Sequence, residues 1–188
     1  MSHKGEAYST SGAIFLDNPI RRLIQPPTEL IEKLAVNSTD VVVDFGCGPG
    51  YYTIELAKKA RKMVAVDLSS EMLKKAQRKA EKAGAKNIEF LQSDGKSLQL
   101  ESSSVDIILL VTVYHEVDES EIVLKEFSRV LKQDGKLVIV ENIKKGVFPG
   151  APVQNPDKLK AEIEVLNFRL EKLSPYKNYG ILFFTKKG

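Results

Sequence analysis

The sequence predicts an α/β fold: a doubly wound, mostly parallel sheet that closes in an antiparallel hairpin. Three observations carry that expectation. Short β-branched runs alternate with helix-periodic stretches, the pattern of repeated β-α-β units. The first run stops at a cluster of glycines and the second at an acid. The last two apolar runs flank Pro175-Tyr176-Lys177-Asn178, which reads as a hairpin turn.

Each element follows from its local pattern. Residues 1–36 precede the first strand, and Thr28 to Val36 reads as a helix behind the Pro26-Pro27 break. Val41 to Phe45 is the first strand, and residues 50–60 then place Tyr52, Leu56, Ala57 and Ala60 at helical spacing. Met63 to Asp67 is a second buried strand. Ser69 is positioned to cap the next helix, whose apolar face is Met72, Leu73, Ala76 and Ala80 and whose end is marked by Gly84. The third strand is Ile88 to Leu91. The fourth, Val105 to Val113, is almost wholly apolar after Asp106, as expected of a central strand covered on both faces. Asp118 and Glu121 have capping-box spacing ahead of a helix carrying Val123, Leu124, Phe127, Val130 and Leu131. Asp134-Gly135 turns into the fifth strand, Leu137 to Val140. Residues 144–156 are rich in Gly and Pro and read as a loop; a helix of about ten residues follows, then Phe168–Leu170 and Ile181–Phe184 as the hairpin strands.

Composition narrows the function classes. A chain of 188 residues suits one domain. At that length it buries roughly 70% of its unfolded surface and needs no disulfide or structural metal. Hydrophobic residues make up 43% and charged residues 28%, as in ordinary soluble domains. No apolar run approaches the ~20 residues of a membrane span, and the start MSHKGEAYSTSG is not read as a signal peptide. The single Cys47 excludes an internal disulfide and multi-cysteine metal motifs. The net charge of +3 arises from 28 basic and 25 acidic residues interspersed along the chain, which argues against a nucleic-acid partner. The expectation is a cytoplasmic protein with no membrane partner and no bound metal.

The chemistry is written most plainly in Val43-Asp44-Phe45-Gly46-Cys47-Gly48-Pro49-Gly50, where the first strand meets its helix. Glycines there permit positive φ and let a ligand approach without meeting a Cβ. In a doubly wound sheet this junction lies at the carboxyl ends of the strands, where ligands bind. A dinucleotide turn needs G-x-G-x-x-G or A, but Tyr51 occupies the third small position, and the spacing is G-x-G-x-G. Asp44, two residues before it, repels a pyrophosphate and suits a cationic amine. Asp67 ends the second strand, where a carboxylate can accept both hydroxyls of a ribose; the alternative is an Asp that merely begins a turn.

The run VVDFGCGPGYYT, followed by VAVDLSSEML, FLQSD and the strand after VDIILL, resembles the class I S-adenosylmethionine-dependent methyltransferases. It looks most like their small-molecule branch, which includes the ubiquinone/menaquinone-biosynthesis type. The resemblance spans roughly residues 38–142. It implies a Rossmann-like seven-stranded sheet of order 3-2-1-4-5-7-6, with S-adenosyl-L-methionine as cofactor. It further implies that Asp44 holds the methionyl amine, that Gly46, Gly48 and Gly50 give backbone access, and that Asp67 grips the ribose. Leu68 and Met72 would line the adenine, Met72 having core packing as its alternative. Asp94, followed by Gly95, matches the acid that accepts from the adenine amino group; the alternative is a turn-forming Asp before Gly. Cys47 reads as close packing of the turn rather than a nucleophile.

Methyl transfer from a sulfonium needs alignment and a deprotonated acceptor, not a covalent intermediate. The acceptor is expected beyond the fourth strand, at Tyr114-His115-Glu116. His115 is a candidate base, with packing under the following loop as the alternative; Tyr114 and Glu116 are weaker candidates. Residues 1–36 read as an N-terminal helical lid on a cofactor-binding domain of residues 37–188. Tyr8, Phe15, Leu16, Arg21, Arg22, Tyr51 and Phe148 either line an acceptor pocket or pack against the sheet. A small-molecule acceptor leads. An RNA or protein acceptor would predict a basic funnel beside Asp94 and His115, hinted at only by Lys144 and Lys145. A non-catalytic cofactor-binding module would keep the turn and lose the acceptor pocket. The hairpin's edge strand can pair with a second copy, which would give a homodimer.

Overall fold

The computed structural model describes residues 26–144 and 152–187. The lid residues Tyr8, Phe15, Leu16, Arg21 and Arg22, together with Phe148 and Lys145, lie outside these. Helix α1 (Pro27–Leu34) opens the described chain with Pro27 in its first turn, where a missing N–H costs nothing. Its Leu30, Ile31 and Leu34 are buried, and it packs on α2 (Thr53–Ala57). Seven strands follow among the described residues: β1 (Val41–Phe45), β2 (Lys62–Asp67), β3 (Ile88–Gln92), β4 (Val105–Val111), β5 (Leu131–Asn142), β6 (Phe168–Tyr176) and β7 (Tyr179–Lys186). Their order is β3-β2-β1-β4-β5-β7-β6, as expected from the family resemblance. The fold divides between Ser93 and Asp94 into two compact units.

In the first unit, β1 pairs in parallel with β2, and β2 with β3, placing Val43 opposite Val64 and Val66 opposite Leu91. Every residue of β1 is buried, Asp44 included. Helix α3 (Ser70–Ala83) is delimited as its sequence predicts. The Ser69 hydroxyl accepts from Met72 N–H at 3.3 Å, and Gly84 ends the helix at φ 68°. Helix α2 is shorter than the 50–60 spacing suggested, running only from Thr53 to Ala57.

In the second unit, β4 and β5 are parallel, while β7 runs antiparallel to both β5 and β6. Four boundaries differ from the sequence reading. Strand β4 stops at Val111 rather than Val113, because Thr112 turns left-handed at φ 56° and the chain enters a 3-10 turn, Tyr114–Glu116. Helix α4 (Ser120–Val130) has no capping box: Glu119 is its N-cap at φ 50° and makes no side-chain cap bond. Strand β5 begins at Leu131, and Asp134-Gly135 falls at a register shift inside it, between the pairs Val105–Leu131 and Ile107–Lys136. The hairpin is longer than expected, with Pro175 and Tyr176 inside β6. Proline fits there because β6 ends the sheet order, so its ring removes no donor that a further strand requires. Helix α5 (Pro156–Glu164) is capped by Asn155, whose side chain accepts from the amides of Asp157 and Lys158 at 2.9 and 3.2 Å.

Candidate functional site

The glycine turn is built by the strand beside it. The amides of Gly46 and Cys47 both donate to Val66 O, at 2.8 and 2.9 Å, and Gly50 N–H donates to Cys47 O at 3.0 Å. Gly48 N–H donates to Asp67 Oδ2 at 2.8 Å, and Ser69 N–H donates to Asp67 Oδ1 at 2.8 Å. Both carboxylate oxygens of Asp67 are therefore fixed by backbone, and each keeps acceptor capacity for a further donor. Burial raises the Asp67 pKa above the ordinary 3.8, and the Ser69 and Gly48 amides oppose that rise. These bonds also occupy amides that a pyrophosphate would need.

The three glycines do different work. Gly46 and Gly48 are partly exposed, whereas Gly50 is buried at φ 83°. A Cβ on Gly50 would lie 3.1 Å from Ala76 Cβ, so its small size lets the turn meet α3. Asp44 is 2% exposed, and its Oδ2 accepts from the Thr53 hydroxyl at 2.5 Å. Cys47 packs with Ala65 and Leu73, and burial reinforced by Asp44 and Asp67 pushes its thiol far above its usual range. A thiol so protonated has no nucleophilic role at neutral pH. Leu68 is 55% exposed beside Asp67, while Met72 lies in the apolar face of α3 among core residues. A carboxylate behind the turn, a backbone-held carboxylate at the end of β2 and an exposed leucine next to it fit a ligand with a cationic amine, a diol and a flat base.

The second unit holds Asp94, Gly95 and His115. Asp94 is exposed; its Oδ1 accepts from Lys96 N–H at 3.0 Å, the geometry of an Asp-initiated turn, and Gly95 follows at φ 86°. Lys96 reaches Glu119 in an ion pair. His115 lies in the 3-10 turn with 9% of its side chain exposed. Its Nδ1 is 3.0 Å from Glu141 Oε2 and 3.1 Å from Oε1, and its Nε2 is 3.8 Å from Glu116 Oε1. Burial, with a contribution from the Glu162 charge, pushes the Tyr114 hydroxyl up to about 12, so it is a phenol and not a base near neutrality.

Glu141 was not foreseen. It is 1% exposed, one step past the Val111–Val140 pair, which puts it under the turn that carries His115. The only local signal was an acid directly after the apolar run Leu137-Val138-Ile139-Val140. The charged groups around His115 and Asp94 are mainly acidic: Glu116, Glu119 and Glu141, against Lys96. Among the described residues no helix is long and apolar enough to cross a membrane.

A family model described as a methyltransferase domain matches residues 43–139. The demethylmenaquinone methyltransferase of Lactococcus lactis is 34% identical over 103 residues, 53% of this chain and 41% of that protein. A ubiquinone/menaquinone biosynthesis C-methyltransferase of Campylobacter jejuni is 34% identical over 119 residues, 58% of this chain and 48% of that one. The chain thus matches less than half the length of these two relatives. A solved SAM-dependent methyltransferase from Aquifex aeolicus superposes with a TM-score of 0.84 at 26% identity, covering 95% of this chain and 98% of that one. The chain belongs to the methyltransferase-domain family, whose cofactor is S-adenosyl-L-methionine.

Proposed function

We propose that this protein transfers a methyl group from S-adenosyl-L-methionine to a small organic acceptor. The observation that carries the proposal is the Asp67 carboxylate, held by Gly48 and Ser69 amides at 2.8 Å beside the exposed Leu68. A carboxylate fixed before the ligand arrives loses little entropy on accepting two hydroxyls. Asp44 would take the methionyl amine, directly or through water, and the partly exposed backbone at Gly46 and Gly48 would lie along the ligand. Leu68 would cover one face of the adenine. Asp94 and Gly95 would meet the adenine edge, and Met72 would back it from the core. When bound, the cofactor supplies a sulfonium methyl, and His115 would take the acceptor's proton as the methyl is transferred.

The acids beside His115 among the described residues, Glu116 and Glu141, support a small molecule over a nucleic acid. The relatives' names make the demethylmenaquinone ring the first acceptor to try, in its reduced form, whose hydroxyl is a proton source. Residues 1–36 would act as the lid that selects the acceptor. Calorimetry with S-adenosylhomocysteine and NAD tests the cofactor, and an acceptor panel read by S-adenosylhomocysteine release tests the transfer. Binding of NAD without S-adenosylhomocysteine would overturn the proposal. Tight S-adenosylhomocysteine binding with no turnover on any acceptor would favour the non-catalytic module.

A further inference from the structure

The reaction above leaves a proton to be placed, and the second unit holds a pair of side chains shaped to place it. Glu141 is a carboxylate with 1% of its side chain exposed, on a strand whose neighbours Leu137, Val138, Ile139 and Val140 are fully buried. An acid so placed is costly unless its oxygens are met by donors. Both are met by one residue. His115 Nδ1 lies 3.0 Å from Oε2 and 3.1 Å from Oε1, and His115 N–H donates to Oε1 at 3.4 Å. A bare Nδ1 lone pair would be repelled by at least one oxygen at these distances, whichever of them carried a proton. An Nδ1–H is attracted by both. The geometry therefore points to an ionised Glu141 and a hydrogen on Nδ1, so that the neutral ring has its basic lone pair on Nε2.

We infer that Glu141 is a positioning residue that holds His115 in the Nδ1–H tautomer and stabilises the imidazolium formed during methyl transfer. The inference rests on the proposed role of His115 as base. As the acceptor bonds to the methyl carbon, the proton that the acceptor gives up passes to His115 Nε2. The pair of the broken sulfur–carbon bond stays on sulfur, leaving a neutral thioether. The positive charge lost by the sulfonium reappears on the imidazolium, 3.0 Å from the Glu141 carboxylate and, through Nε2, 3.8 Å from Glu116 Oε1. The site thus ends with a charge pair rather than an isolated buried cation.

The first test needs no acceptor. With nitrogen-15 in the histidines, only His3 and His115 contribute imidazole signals, and His3→Ala assigns them. At alkaline pH the parent His115 should carry its hydrogen on Nδ1. In Glu141→Gln the signals should move to a mixture of tautomers, because the amide can also donate, and Glu141→Asp should return them toward the parent. On any acceptor that the panel identifies, Glu141→Gln should lower kcat roughly 10²- to 10⁴-fold, with KM within about threefold. A Glu141→Gln protein with unchanged Tm, an unmoved Nδ1–H tautomer and full kcat would overturn the inference. So would Glu141→Asp, if Glu141→Gln does not fold, should it leave the tautomer mixed and kcat intact. Failure of the base reading is distinct: His115→Ala would then keep full kcat while the parent still showed the Nδ1–H tautomer.

Discussion

The ends of β2 and β5 each carry an acid, and the two are held in opposite ways. Asp67 is fixed by backbone amides of its own neighbourhood, Ser69 two residues on and Gly48 in the adjoining turn. Glu141 is met by the ring and amide of His115, 26 positions away in sequence. A backbone-held acid keeps its place through most side-chain changes, which suits a cofactor common to a whole family. An acid held by a side chain depends on that one partner, which suits chemistry that varies from one acceptor to another. Under the proposed function, the contrast would separate the task of holding a ligand from the task of moving a proton.

The sharpest way to break that contrast is at the side-chain end. His115→Ala should lower kcat by about 10²- to 10⁴-fold while leaving S-adenosylhomocysteine affinity unchanged by calorimetry. If affinity falls in parallel, the two tasks are not separate. Asp67→Ala should do the reverse. Lost pairing of the ribose hydroxyls should weaken S-adenosylhomocysteine by about 1–3 kcal/mol, with kcat at saturating cofactor little changed.

That division also explains what was legible in the sequence. The turn from Asp44 to Gly50, the cap at Ser69 and the stop at Gly84 are local devices, each written in adjacent residues. The β-branched runs similarly marked the parallel strands, because buried strands need continuous apolar sequence. The misreadings sit where distant pairing overrode local preference. Thr112 and Val113 read as strand, yet Thr112 N–H donates to Val140 O while its own backbone turns left-handed. Asp118 and Glu121 had capping spacing, but Glu119 took the N-cap. Glu141 was invisible as a partner because its contact with His115 depends on the register of β4 against β5, which no local pattern encodes.

The backbone end can be probed for stability as well. Gly50 combines φ 83° with a neighbour 3.1 Å from any added Cβ. Gly50→Ala should cost about 1–2 kcal/mol from the left-handed backbone alone, read as a lower midpoint in urea. Gly84 has the same sign of φ but open space around it, so Gly84→Ala isolates the backbone cost without the contact. A larger loss at Gly50 than at Gly84 would show that the turn's approach to α3 contributes beyond conformation.

The smallest effect comes from the charge on Asp67 itself. Burial raises its folded pKa above 3.8, so the empty protein is disfavoured when that carboxyl ionises. This contribution to stability is full below the unfolded pKa and is lost as pH rises through the folded one. Ribose hydroxyls donate to the ionised form, so the ligand favours the state that the empty fold resists. Affinity for S-adenosylhomocysteine should therefore rise with pH across the window just above the ordinary carboxylate range, while the empty protein loses a little stability across that window. Two opposite slopes from a single group are a signature that global acid unfolding cannot imitate, since unfolding would lower both together. Calorimetry and urea melts on the parent and on Asp67→Asn read the two slopes. Both should flatten in the variant; a slope that persists in Asp67→Asn belongs to another group and would remove Asp67 from the ligand's contacts.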